Sequence, residues 1–107
     1  MKTPRSFVSR IEEYRGLLEA LAASKPGGEA RDLAVKISDM FEEDVRFANA
    51  SKRIEALDEK ERDALECIRE YWVKERIDLR RGHAYWVQRA HGLLDYISYY
   101  DHHHRGK

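Results

Sequence analysis

The sequence predicts an all-α protein, an antiparallel up-down four-helix bundle that closes with a C-terminal helical hairpin. Three observations carry that expectation. Apolar residues recur three or four positions apart through four separate segments, the period of a helix with one buried face. Breakers fall between segments, at Lys25-Pro26-Gly27-Gly28 and at Leu79-Arg80-Arg81-Gly82-His83. No run alternates with period two for long enough to make a strand.

The first helix is expected over residues 4–24. Thr3 suits the capping position, and Pro4 suits the first turn, where a missing N–H is no loss. Phe7, Ile11, Leu18 and Leu21 line one face, with Val8 and Leu17 beside them. The second helix is expected over residues 29–56, with Leu33, Ile37, Met40, Phe41, Phe47, Ala48 and Ile54 as its stripe. The period survives across Asn49-Ala50-Ser51, so one long helix is expected there.

Asp58 and Glu61, behind Leu57, form an acidic capping box that starts the third helix, over residues 59–81. Leu65, Ile68, Trp72 and Leu79 are its inward residues. Gly82 is expected to take the left-handed conformation that ends this helix. The fourth helix then covers residues 84–100, with Trp86, Ala90, Leu93, Ile97 and Tyr100 facing in. His102-His103-His104-Arg105-Gly106-Lys107 reads as a fraying tail.

The 107 residues suit one domain, 1–107. Charged residues make up 37% of the chain, above the usual share, but the 42% that are hydrophobic are periodic, so the charge belongs on solvated helix faces. Twenty basic and twenty acidic residues cancel, which leaves no net field to draw in a phosphate backbone, and nucleic acid is not an expected partner. Cys67 is the only cysteine, so no disulfide forms within the chain and a reducing cytoplasm is expected. No apolar run has the form of a secretory signal or the length of a membrane span.

Several polar residues interrupt the pattern. Asp44 falls inside the apolar stripe of the second helix, and a buried carboxylate needs a partner. Arg76 or the Trp72 indole N–H is the expected partner, as a pair that fixes register, with an interior ligand pocket as the alternative. His91 and Asp95 lie one turn apart and offer two metal ligands at most. Asp101-His102-His103-His104 is a second such group, and neither reaches the three or four ligands a site needs, so no metal or cofactor is expected. Cys67 sits among Glu66 and Glu70, which do not activate a thiol. Val73 and Ile77 on the third helix, with Tyr85, Tyr96 and Tyr99 on the fourth, fall outside the core stripes. They predict an interface for a second copy or another helical protein.

The segments Ala64-Leu65-Glu66-Cys67-Ile68-Arg69-Glu70-Tyr71-Trp72, Leu79-Arg80-Arg81-Gly82 and Ala90-His91-Gly92-Leu93-Leu94-Asp95 together resemble a family of small archaeal helical proteins of unknown function. The likeness spans about residues 29–100. It implies a helical bundle in an archaeal cytoplasm, no activity or catalytic residue, and a close helix–helix contact at Gly92. Arg76, His83 and Tyr85 resemble the Arg…His-x-Tyr signature of helical ribonucleases from prokaryotic toxin and defence systems. That likeness implies a metal-independent nuclease in which Arg76 and His83 assist attack of a ribose 2′-hydroxyl on its phosphate. The favoured expectation is a non-enzymatic interaction or scaffold protein that self-associates, with the nuclease as the alternative.

Overall fold

The computed structural model describes residues 7–50, 59–74 and 76–105, with side chains described up to Phe47 in the first stretch and up to His102 in the last. Four helices carry them: α1 (Phe7–Ala22), α2 (Gly28–Ala50), α3 (Glu59–Lys74) and α4 (His83–Arg105). Among the described residues there is no strand. The Thr3–Pro4 start, Ser51, Ile54, the Leu57–Asp58 half of the capping box and Gly106-Lys107 lie outside the described residues, as do the side chains of Ala48 and of His103 to Arg105.

α1 buries Phe7, Ile11, Tyr14, Leu18 and Leu21, alternately four and three residues apart. Tyr14 fills the one gap in the expected stripe. The helix ends where Ser24 turns back on it: its hydroxyl and its backbone N–H both donate to the Leu21 carbonyl. Gly27 follows with φ at 151°, a conformation that side chains rarely adopt. Its carbonyl accepts the Arg31 N–H and so opens α2.

α2 turns Ala30, Ala34, Ile37, Met40 and Phe41 inward. Leu33 is half-buried, and Phe47, expected in the core, is 42% exposed because it sits at the bundle's rim against Phe7, ring centres 5.6 Å apart. α3 buries Ala64, Leu65, Ile68 and Tyr71, while Trp72 is half-buried.

The third helix does not reach residue 81. Asp78 takes over the chain: its carboxylate accepts the Arg80 backbone N–H, and its carbonyl accepts the Arg81 N–H and the Trp86 indole N–H. A short polar side chain that satisfies nearby backbone groups competes directly with helix hydrogen bonding. Ile77 drops from this irregular stretch into the core, and Leu79 is half-buried behind it.

Gly82 is also corrected. The only described glycine with positive φ is Gly27, so Gly82 is not left-handed. Its carbonyl accepts the Trp86 N–H, which makes it the cap that begins α4 rather than the stop that ends α3. All five inward residues expected of α4 are buried. The helix runs to Arg105 rather than ending at Tyr100, and Asp101 ties its last turns to Arg15 of α1 at 2.6 Å.

The cross-links between helices follow a consistent order. Along α1, Phe7, Arg10 and Tyr14 meet Phe47, Asp44 and Phe41 of α2. Arg15 and Ser24 meet Asp101 and His83 of α4. Lys60 and Tyr71 of α3 meet Tyr100 and Tyr96 of α4. α1 touches all three other helices, and the Phe7 backbone N–H donates to the Glu61 carboxylate of α3.

Candidate functional site

Asp44 is wholly buried, and α1 supplies it with two partners, Arg10 and Tyr14. Arg10 Nε lies 3.3 and 3.0 Å from the two carboxylate oxygens, and the Tyr14 hydroxyl donates to Oδ2 at 2.6 Å. Burial, and after it the bond to Asp44, pushes the Tyr14 phenol far above its ordinary value. The expected pairing with Arg76 or Trp72 is corrected for a simple reason. Asp44 faces the stripe that carries Arg10 and Tyr14, one turn apart, and α3 has ended before Arg76. Arg76 is exposed, its guanidinium 5.7 Å from the Trp72 ring centre. The Trp72 indole nitrogen is buried with no hydrogen-bond partner among the described residues. A carboxylate so covered cannot meet a substrate, and the cluster is a structural clamp between α1 and α2.

His83 is committed as well. Its Nε2 lies 3.0 Å from Ser24 Oγ and 3.1 Å from the Ser24 carbonyl. Ser24 Oγ already gives its proton to the Leu21 carbonyl, so both Ser24 oxygens can only accept. Nε2 therefore carries a hydrogen and donates it to Ser24, so that nitrogen has no free lone pair with which to act as a base. Tyr85 leans the other way: its hydroxyl donates to the Arg76 carbonyl at 3.5 Å, and its ring lies 5.3 and 4.9 Å from the Arg81 and Arg89 guanidiniums. Arg76 and Tyr85 are thus near one another, while His83 is turned to the α1–α2 loop.

His91 and Asp95 are both exposed on α4. Among the described residues, no three His, Cys, Asp or Glu side chains are placed to hold one metal ion. The Cys67 thiol meets the Tyr71 hydroxyl, and burial raises its pKa to about 11, so it stays protonated near neutrality and is a poor nucleophile.

The predicted interface residues divide. Ile77 is buried at 2% exposure and is removed from the surface set, because the break after α3 swings it inward. Tyr85 and Tyr96 are half-buried, the latter tilted against Tyr71 with ring centres 5.2 Å apart. Val73 and Tyr99 stand out at 72% and 79% exposed. Beside Tyr99 a groove of about 360 Å³ runs between α3 and α4, with Tyr96, Tyr99 and Tyr100 on one wall. Asp63, Glu66, Cys67 and Glu70 form the other. It adjoins a hollow of about 340 Å³ between Glu70, Asp95, Tyr96 and Tyr99. Burial first, and then the nearby Cys67 and carboxylates, raises the Tyr100 phenol to about 12.

Sequence reasoning found the tyrosines of this groove but missed its acidic wall. The signal was there: Asp63, Glu66 and Glu70 recur at three and four residues, so they share one face of α3. No family model, curated protein or solved structure matches this chain.

Proposed function

We propose that this chain is a small non-enzymatic interaction protein, an antiparallel up-down bundle that associates with itself through the outer face of α3 and α4. The observation that carries the reading is the exposure of Tyr99 on an open, tyrosine-walled groove between α3 and α4, with Val73 exposed further along α3. Contiguous apolar and aromatic surface of this kind is what a partner covers, and tyrosines anchor such contacts. The up-down arrangement is supported by the order of cross-links, in which rising residue numbers on one helix meet falling numbers on the next. The likeness of residues 29–100 to an archaeal helical family carries a bundle and no chemistry, which fits. A cytoplasmic setting suits a lone, protonated thiol, and no described helix is long and apolar enough to cross a membrane.

Multi-angle light scattering across a concentration series tests the reading. A mass of two chains is expected for the natural protein, and a shift to one chain for the double variant Val73→Ser with Tyr99→Ser. A single-chain mass at every concentration would sink it. RNA incubated with the protein stays intact on this reading.

A further inference from the structure

The outer face of α3 and α4 is not uniform in charge. On α4, Tyr85, Gln88, Gly92, Asp95 and Tyr99 recur three or four residues apart, so they lie along one stripe. On α3, Asp63, Glu66, Glu70 and Val73 do the same. Carboxylates gather at one end of this face, with Glu70 and Asp95 exposed beside Tyr96 and Tyr99. At the other end the guanidiniums of Arg81 and Arg89 lie over Tyr85, and Arg76 lies over Trp72. Glu66 is already paired with Arg69 and Arg80 with Asp78, so those charges add little to either pole.

We infer that two copies pair antiparallel across this face, the acidic groove of each receiving the Arg76–Arg81 segment of the other. The inference rests on the self-association proposed above and names its geometry. Any parallel pairing sets carboxylates against carboxylates and guanidiniums against guanidiniums. An antiparallel pairing satisfies both poles at once and is closed by its two-fold axis, so it stops at two chains. On α4 the point halfway between Tyr99 and Tyr85 is Gly92, seven residues or about 10 Å from each. A glycine there brings the two copies' α4 helices together with no side chain between them. On α3 the exposed Val73 lies between Glu70 and Arg76, where it meets its own copy near the axis. An arginine that enters the groove stacks on the exposed Tyr99 ring while its fork faces Glu70 and Asp95, the geometry a guanidinium favours over a lysine ammonium. The chain's zero net charge leaves no general repulsion between copies to oppose the approach.

Charge reversal tests this, using light scattering and sedimentation on the full chain. Glu70 and Arg81 are both exposed, so Glu70→Lys and Arg81→Glu leave the fold intact, checked by circular dichroism. Each variant alone is expected to dimerise at least tenfold more weakly than the natural protein, and raising salt from low to high is expected to weaken the natural dimer. Mixing the two variants is expected to restore a one-to-one dimer, because both cross-contacts become attractive again; the double variant is expected to dimerise with itself. A dimer indifferent to salt and to both reversals would overturn this geometry and leave self-association standing. Restored species larger than two chains would replace the closed pair with a head-to-tail chain and overturn it too. A monomeric natural protein whose tyrosine fluorescence responds to deca-arginine would overturn both readings and give the groove to another partner.

Discussion

Removing the Tyr14 hydroxyl probes the clamp on Asp44 more cleanly than any other single change. In Tyr14→Phe the ring remains, stacked on Phe41 with centres 4.4 Å apart, so packing is conserved. What goes is one hydrogen bond of 2.6 Å to a wholly buried carboxylate. Hydrogen bonds to charged groups contribute about 1.5–3 kcal/mol, and Arg10 stays in place to hold the carboxylate, so the lower half of that range applies, about 2 kcal/mol. For a domain of this size that is a fall in Tm of roughly 8–16 °C. Urea unfolding followed at 222 nm gives the free energy directly, and an unchanged slope shows that only stability has moved. Tyr99→Phe is the control: its side chain is 79% exposed, and removal of its hydroxyl should cost less than about 0.5 kcal/mol. Equal losses for the two variants, or none for Tyr14→Phe, would refute the claim that α1 and α2 are clamped through Asp44.

Three further predictions use the same unfolding assay. Tyr14 and Tyr71 both have phenols raised by burial, so the fold binds protons that the unfolded chain releases above about pH 10. Their contribution is fully present below that pH and lost as pH rises beyond it; Tyr14→Phe should flatten the alkaline decline by one proton, about 1.4 kcal/mol per pH unit, and an unaltered slope would contradict it. The glycines should separate: Gly16→Ala, on an exposed turn of α1 with open space around it, gains about 0.5–1 kcal/mol, whereas Gly27→Ala at φ 151° loses about 1 kcal/mol or more. Ile77→Ala should cost about 2–4 kcal/mol and Val73→Ala no more than about 0.5 kcal/mol, since only the first is in the core; the reverse ranking would remove the break after α3.

Helix character was legible wherever the apolar period ran unbroken. Trp86, Ala90, Leu93, Ile97 and Tyr100 follow a strict spacing, and all are buried. Period alone failed where one side chain could satisfy the backbone another way. Leu79 continues the stripe of α3 on paper, but Asp78 captures the amide of Arg80 and the indole of Trp86, and the helix is already over. Gly82 was read as an ending because glycines end helices; its role as a beginning depends on α3 having ended already at Lys74. The Asp44 partners were hidden for a different reason. A carboxylate in an apolar stripe announces that it needs a cation, but which helix supplies it is a matter of packing, and Arg10 and Tyr14 are 34 and 30 residues away. In the groove, the tyrosines stood out as aromatic while the facing acids looked like ordinary solvated charge.

The placement of α1 has a consequence for the order in which the protein is made. Its amide and guanidinium contacts reach forward to Glu61 and Asp101, and Ser24 just after it meets His83, so α1 leaves the ribosome well before the helices that cover it. At about 5–20 residues per second, the inward side of α1 waits several seconds for α4, and a nascent chain halted before Asp101 leaves that greasy side to whichever chaperone is at hand.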